Sequence, residues 1–110
     1  MRRGVCVIAV LVIFSACLFA QANSGTVVGT ITDPTGAAVP SANVTIRNEG
    51  TGLVRTTTTN LEGQFRVDAF PTGNLTITVE RAGFDRLVRS GLTLTTADTI
   101  TVNMQLRVGD

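Results

Sequence analysis

From residue 26 onward the chain alternates. Apolar side chains recur at every second position in short runs, and Gly, Pro, Asn and Asp separate the runs. No stretch there carries the roughly 3.6-residue period of an amphipathic helix. Period-two alternation makes a strand with one buried and one wet face, and several such strands divided by turn residues predict an all-β sandwich. Seven strands are expected. Thr26–Thr32 turns Val27, Gly29 and Ile31 to one face, and Ala42–Asn48 turns Ala42, Val44 and Ile46 inward. Leu53–Thr59 is rich in β-branched Thr. Gln64–Ala69 points Phe65, Val67 and Ala69 inward, and Leu75–Arg81 points Leu75, Ile77 and Val79 inward. A less regular strand falls near Phe84–Ser90, and Thr99–Val108 places Ile100, Val102, Met104, Leu106 and Val108 in the core.

The breaks carry turn chemistry. Asp33-Pro34-Thr35-Gly36 has Asp first, Pro second and Gly fourth, the preferences of a type I turn. The Asp33 carboxylate is expected to accept a hydrogen bond from the backbone two residues on, while Pro34 presets φ and Gly36 completes the turn. Gly63 closes Asn60-Leu61-Glu62-Gly63, Gly73 sits in Pro71-Thr72-Gly73-Asn74, and Gly83 breaks the chain before Phe84. All six residues (Asp33, Pro34, Gly36, Gly63, Gly73, Gly83) are read as structural, not as a binding loop.

The first 22 residues follow another plan. Arg2 and Arg3 precede an apolar run from Val5 to Ala20, and Ala20-Gln21-Ala22 is a small-x-small cleavage site. That is the layout of a helical secretory signal peptide, cut after Ala22. The run is shorter than the ~20 residues of a spanning helix, so no membrane span is expected in the mature form. Phe14-Ser15-Ala16-Cys17 loosely resembles a lipobox, which makes lipidation at Cys17 the alternative.

Cleavage removes both cysteines, Cys6 and Cys17, and with them any disulfide or thiol chemistry. The remainder has no His, Lys, Tyr or Trp, and its seven Arg and eight acidic residues are scattered. No electrostatic footprint for nucleic acid results. With no His or Lys to activate Ser24, Ser41 or Ser90, a nucleophile–base pair is missing. Glu62 and Asp68 are the nearest carboxylate pair and read as solvated acids, so the chain is expected not to be an enzyme. Only an oxygen site for Ca²⁺ is conceivable, yet Asp33 and Asp98 belong to no dense acidic loop, so no metal or other cofactor is expected. Sugar platforms use aromatic rings. Phe65 is in core phase and Phe84 packs after the Gly83 break, which leaves Phe70, beside Pro71, as the one exposed ring and candidate ligand contact. The Thr56–Thr59 run is a candidate edge for strand addition.

The order and spacing of these segments resemble the carboxypeptidase regulatory-like domain. The residues that carry the resemblance are Gly29-Thr30-Ile31-Thr32-Asp33-Pro34-Thr35-Gly36, Val39-Pro40-Ser41-Ala42-Asn43-Val44-Thr45-Ile46, Thr59-Asn60-Leu61-Glu62-Gly63-Gln64-Phe65, Phe70-Pro71-Thr72-Gly73 and Ala82-Gly83-Phe84. Leu75 departs from it, since many members carry an aromatic residue there. The resemblance implies a seven-stranded antiparallel Greek-key β-sandwich of the prealbumin (transthyretin-like) type over residues 23–110. A leader followed by this module also resembles the start of TonB-dependent outer-membrane receptor-like proteins. That implies an accessory, non-catalytic role in the periplasm or outer membrane, or outside the cell. The expected partner is an envelope protein or the rest of a larger receptor. A carbohydrate-binding module with a glycan partner is the runner-up, and a truncated receptor remnant is the third reading.

Overall fold

The computed structural model describes residues 23–109. The expected leader, with the expected cleavage after Ala22 and the alternative lipidation at Cys17, lies outside the described residues. Eight strands follow in order: β1 Ser24–Thr32, β2 Asn43–Asn48, β3 Val54–Thr58, β4 Gln64–Pro71, β5 Gly73–Glu80, β6 Leu87–Leu94, β7 Thr99–Thr101 and β8 Met104–Gln105. They form two sheets, one in the order β4-β1-β7 with β8 also on β1, the other in the order β3-β2-β5-β6. The architecture is the expected all-β sandwich.

The core lies where the inner faces meet. Val27 and Ile31 from β1, Val44 and Ile46 from β2, and Leu75, Ile77 and Val79 from β5 reach no solvent. Alternation alone accounts for these three strands. Gly29 shares their inward face, and a Cβ there would strike the Val102 carbonyl and the Phe65 ring. A bare backbone is what lets β4 and the last segment close over β1.

Two strands change parity partway along. In β4 the pairing with β1 slips between Gly25 and Val27, opposite Asp68 and Ala69. Ala69 has φ of 53°, so one extra residue sits in the strand as a bulge. Ala69, expected inward, is therefore exposed, and Phe70, expected exposed, is fully buried. In β6 the same happens opposite Leu75–Ile77, where Gly91 has φ of 76°. The strand expected at Phe84–Ser90 thus starts later and runs on to Leu94, which is buried.

The last strand also departs from expectation. It is split, and both pieces run parallel to β1, whereas the other pairings are antiparallel. After β6 the chain crosses to the other sheet through Thr95–Asp98 and arrives beside β1 pointing the same way. At the break, the Asn103 side-chain carbonyl accepts the Thr30 N–H at 3.1 Å, in place of a ladder bond. Val102, Met104 and Leu106 are buried and Ile100 is partly so, but Val108 is 67% exposed. Val108 bridges to Phe84 beyond the end of the core, which explains why its parity no longer buries it.

An arginine closes each open side of the sandwich. Arg55 of β3 donates to the Asp68 carbonyl of β4 at 2.9 Å, and Arg89 of β6 donates to the Asn103 carbonyl at 3.3 Å.

Candidate functional site

The Asp33–Gly36 turn has the bond its residues predict, from the Gly36 N–H to the Asp33 carbonyl at 3.0 Å. One Asp33 carboxylate oxygen accepts from the Thr35 hydroxyl at 2.6 Å, the Thr35 N–H at 2.8 Å and the Ala37 N–H at 3.0 Å. The Thr35 hydroxyl chiefly holds this carboxyl below the ordinary carboxylate range; desolvation opposes it, and the backbone N–H groups of Ala37, Thr35 and Gly36 add to it. Gly36, Gly63, Gly73 and Gly83 all have positive φ (88°, 75°, 137° and 88°). Gly63 also lies against the Ile31 carbonyl, 2.5 Å from where a Cβ would stand, so both its conformation and its lack of a side chain are needed. Pro34 is exposed between Asp33 and Thr35.

Phe70 makes no site. The bulge at Ala69 turns its ring inward, and the Arg55 guanidinium lies over it, 5.5 Å from the ring centre. This corrects the expectation of an exposed aromatic contact. Glu62 stays in its turn and Asp68 pairs with Arg66 at 2.9 Å, so the two acids remain apart in role. Among the described residues no group of three or more metal-ligating side chains gathers.

Two buried polar residues went unseen in the sequence. Asn48 is 1% exposed. Its side-chain oxygen accepts from the Gly50 and Thr51 N–H groups at 2.9 and 3.0 Å, and its amide donates to the Pro71 and Thr72 carbonyls, both at 3.0 Å. It thereby ties the β2–β3 turn to the β4–β5 turn. The Thr59 hydroxyl donates to the Val39 carbonyl at 2.7 Å and accepts the Ala42 N–H at 2.9 Å. The parity of Ala42, Val44 and Ile46 already puts Asn48 on the inward face, but Asn at a strand end reads as a turn residue and Thr59 as a wet strand residue, so neither reads as core.

A concavity lies on the outer face of the β4-β1-β7 sheet. It encloses about 540 Å³ and is lined by Val28, Thr30, Gln64, Arg66, Thr101 and Asn103, with Thr58 and Asn60 at its rim. Amides, hydroxyls and a guanidinium line it together with apolar surface that includes Val28 and Phe65. Such a set offers both donors and acceptors to a neutral polar ligand. No helix among the described residues is long and apolar enough to cross a membrane.

Solved structures share this sandwich. The Bacillus anthracis TIE protein aligns with a TM-score of 0.67 at 18% identity, over 78% of this chain and 17% of its own. A candidate carbohydrate-binding protein from Bacteroides uniformis aligns with a TM-score of 0.63 at 16% identity, over 77% of this chain and 42% of its own. Catechol 1,2-dioxygenase from Acinetobacter radioresistens aligns with a TM-score of 0.65 at 12% identity, over 82% of this chain and 53% of its own. The dioxygenases correct the expectation that the chain is no enzyme, because the fold itself occurs within enzymes. At these identities the likeness shows the fold alone, so it neither confers dioxygenase chemistry nor excludes catalysis.

In sequence, the chain is 30% identical over 108 residues to the TonB-dependent transporter Oar of Myxococcus xanthus, covering 96% of this chain. It spans 10% of the length of that relative. The profile of the carboxypeptidase regulatory-like domain matches residues 26–107, which takes in all eight strands but for the first two residues of β1. The chain therefore belongs to the carboxypeptidase regulatory-like domain family.

Proposed function

We propose that this chain is an exported accessory module of the cell envelope. Met1 to Ala22 serves as a signal peptide, and residues 23–110 form a sandwich that spaces or docks parts of a larger assembly of the TonB-dependent receptor kind. The observation that carries this reading is the likeness to the TonB-dependent transporter, which covers 96% of the chain and so extends through the leader as well as the sandwich. The scattered, nearly balanced charge suits a part held among neighbours. Mass spectrometry of the exported protein tests the leader: Asn23 at the amino terminus is expected, and a diacylglyceryl group on Cys17 overturns cleavage after Ala22. Cross-linking in intact cells tests the role. Recovery joined to an outer-membrane protein is expected, and a chain that is free throughout the periplasm or medium overturns it.

A second reading, glycan binding, is favoured by the polar concavity around Arg66 and Asn103. It draws also on the fold shared with the candidate carbohydrate-binding protein. A glycan array followed by calorimetry decides it. Binding tighter than about millimolar that both Arg66→Ala and Asn103→Ala abolish supports the reading. Weaker binding, or binding indifferent to both changes, ends it.

A further inference from the structure

A sheet edge is a row of unpaired N–H and C=O groups, and proteins that stay monomeric guard it with bulges, Pro, charge or cover. Three of the four edges here are guarded. The bulge at Ala69 bends β4, and Arg55 takes its Asp68 carbonyl. The bulge at Gly91 bends β6, and the Phe84–Val108 bridge covers the approach to its start. The third edge is broken into the short strands β7 and β8. β3 has none of these devices. Val54–Thr58 keeps an unbroken register with β2, holds no Pro, and has a single charge, Arg55, which is drawn over Phe70 and across to the Asp68 carbonyl.

The free groups of β3 can be assigned. The Asn48 N–H donates to the Leu53 carbonyl and the Thr59 N–H to the Ala42 carbonyl. Odd-numbered residues therefore bond to β2, and Val54, Thr56 and Thr58 aim theirs outward. We propose that this edge pairs with the β3 of a second copy, antiparallel about a two-fold axis at Thr56, which joins two sandwiches through one continuous sheet.

The register is self-complementary. Thr56 meets its own counterpart and Val54 meets Thr58, so every outward-pointing residue faces another. Arg55 falls opposite Thr57, and no like charges stand directly opposed. The apolar residues agree. Leu53, Val54 and Leu61 are 40%, 49% and 83% exposed and flank the two ends of β3. The two-fold axis brings Leu53 and Val54 of each copy to the end of β3 that carries Leu61 in the other, so each apolar end meets its complement. This inference is independent of the receptor reading, since it concerns the purified protein alone.

Sedimentation of the purified protein, diluted from about 1 mM to about 1 μM, tests it. A dimer that dissociates on dilution is expected, with the Val54, Thr56 and Thr58 amides gaining protection from hydrogen exchange only at high concentration. Thr56→Pro removes an outward N–H without touching the β2 ladder and is expected to give a folded monomer. Thr56→Lys sets two ammonium groups against each other at the axis, so its dimer is lost at low salt and partly regained at high salt. Should the Pro variant fail to fold, the Lys variant decides. A wild type that is monomeric at every concentration overturns the proposal, as does a dimer that survives both variants or an added peptide that alone protects the edge.

Discussion

Asp33 and Asn48 do the same local job in opposite surroundings. Each accepts backbone N–H groups of the turn that follows it. Asp33 does so at the surface with a carboxylate, and the bonds of that carboxylate stay within one turn. Asn48 does so in the interior with an amide, and its second half reaches two carbonyls of a different turn. The surface knot can carry a charge because water shares the cost. The interior knot needs a neutral group with a donor and an acceptor side, because carbonyls lie on one flank and N–H groups on the other. Where a turn sits decides which residue can tie it.

Four substitutions test how far surroundings decide the choice of residue. Asn48→Asp has the largest effect. It turns an acceptor toward the Pro71 and Thr72 carbonyls and buries a charge, at a cost of about 3–5 kcal/mol near neutral pH. Because burial raises the folded-state pKa of the new carboxyl, the deficit grows as pH rises from about 3 to about 7 in thermal melts. A deficit that is flat with pH means that the new carboxyl is not held in the interior as a buried charge. Asn48→Ala comes next, at about 2–3 kcal/mol by denaturant unfolding, since the partners in both turns lose their bonds. A loss no larger than that of a surface residue means water replaces the amide. Thr59→Val keeps the shape but orphans the Val39 carbonyl and Ala42 N–H, for about 1–2 kcal/mol by the same measurement.

Asp33→Asn has the smallest effect, because Asn can still accept the turn's N–H groups, and its signature lies in the pH dependence. The folded-state pKa of Asp33 is depressed. Its stabilisation is therefore present above the unfolded value and fades as pH falls through the folded one. Melting temperatures of wild type and variant should converge as pH drops from about 6 to about 2, and a constant gap between them refutes the charge contribution.

Alternation made β1, β2 and β5 legible because each keeps one parity throughout. It failed at β4 and β6 for one physical reason. A single extra residue, Ala69 in one strand and Gly91 in the other, exchanges the faces of everything after it. Gly91 offered a cue, as Gly inside a strand pattern is a usual bulge position. Ala69 offered none, since Ala seldom adopts positive φ. That one residue moved Phe70 from expected ligand platform to core. The turn at Asp33 could be read because its chemistry is local; the parity of β2 puts Asn48 inward, but its tie between two turns could not be read, because half of its partners come from a turn more than twenty residues away. The concavity was equally hidden, since its lining comes from β1, β4 and the last segment, which only the folded sheet brings side by side.

The parallel pairing of β1 with β7 and β8 has a consequence for timing. One edge of β1 is paired by residues that lie 73 positions later in the chain, as Thr26 with Thr99 and Ile31 with Met104 show. A chain leaving a ribosome or a translocation pore amino end first cannot complete that row while it is still threading, and contacts so distant in sequence form slowly. Until residues 99–105 arrive, β1 is held on its β4 side alone. Residues 99–105 thus act as a clasp on β1, one that closes only after the six strands before them have been made.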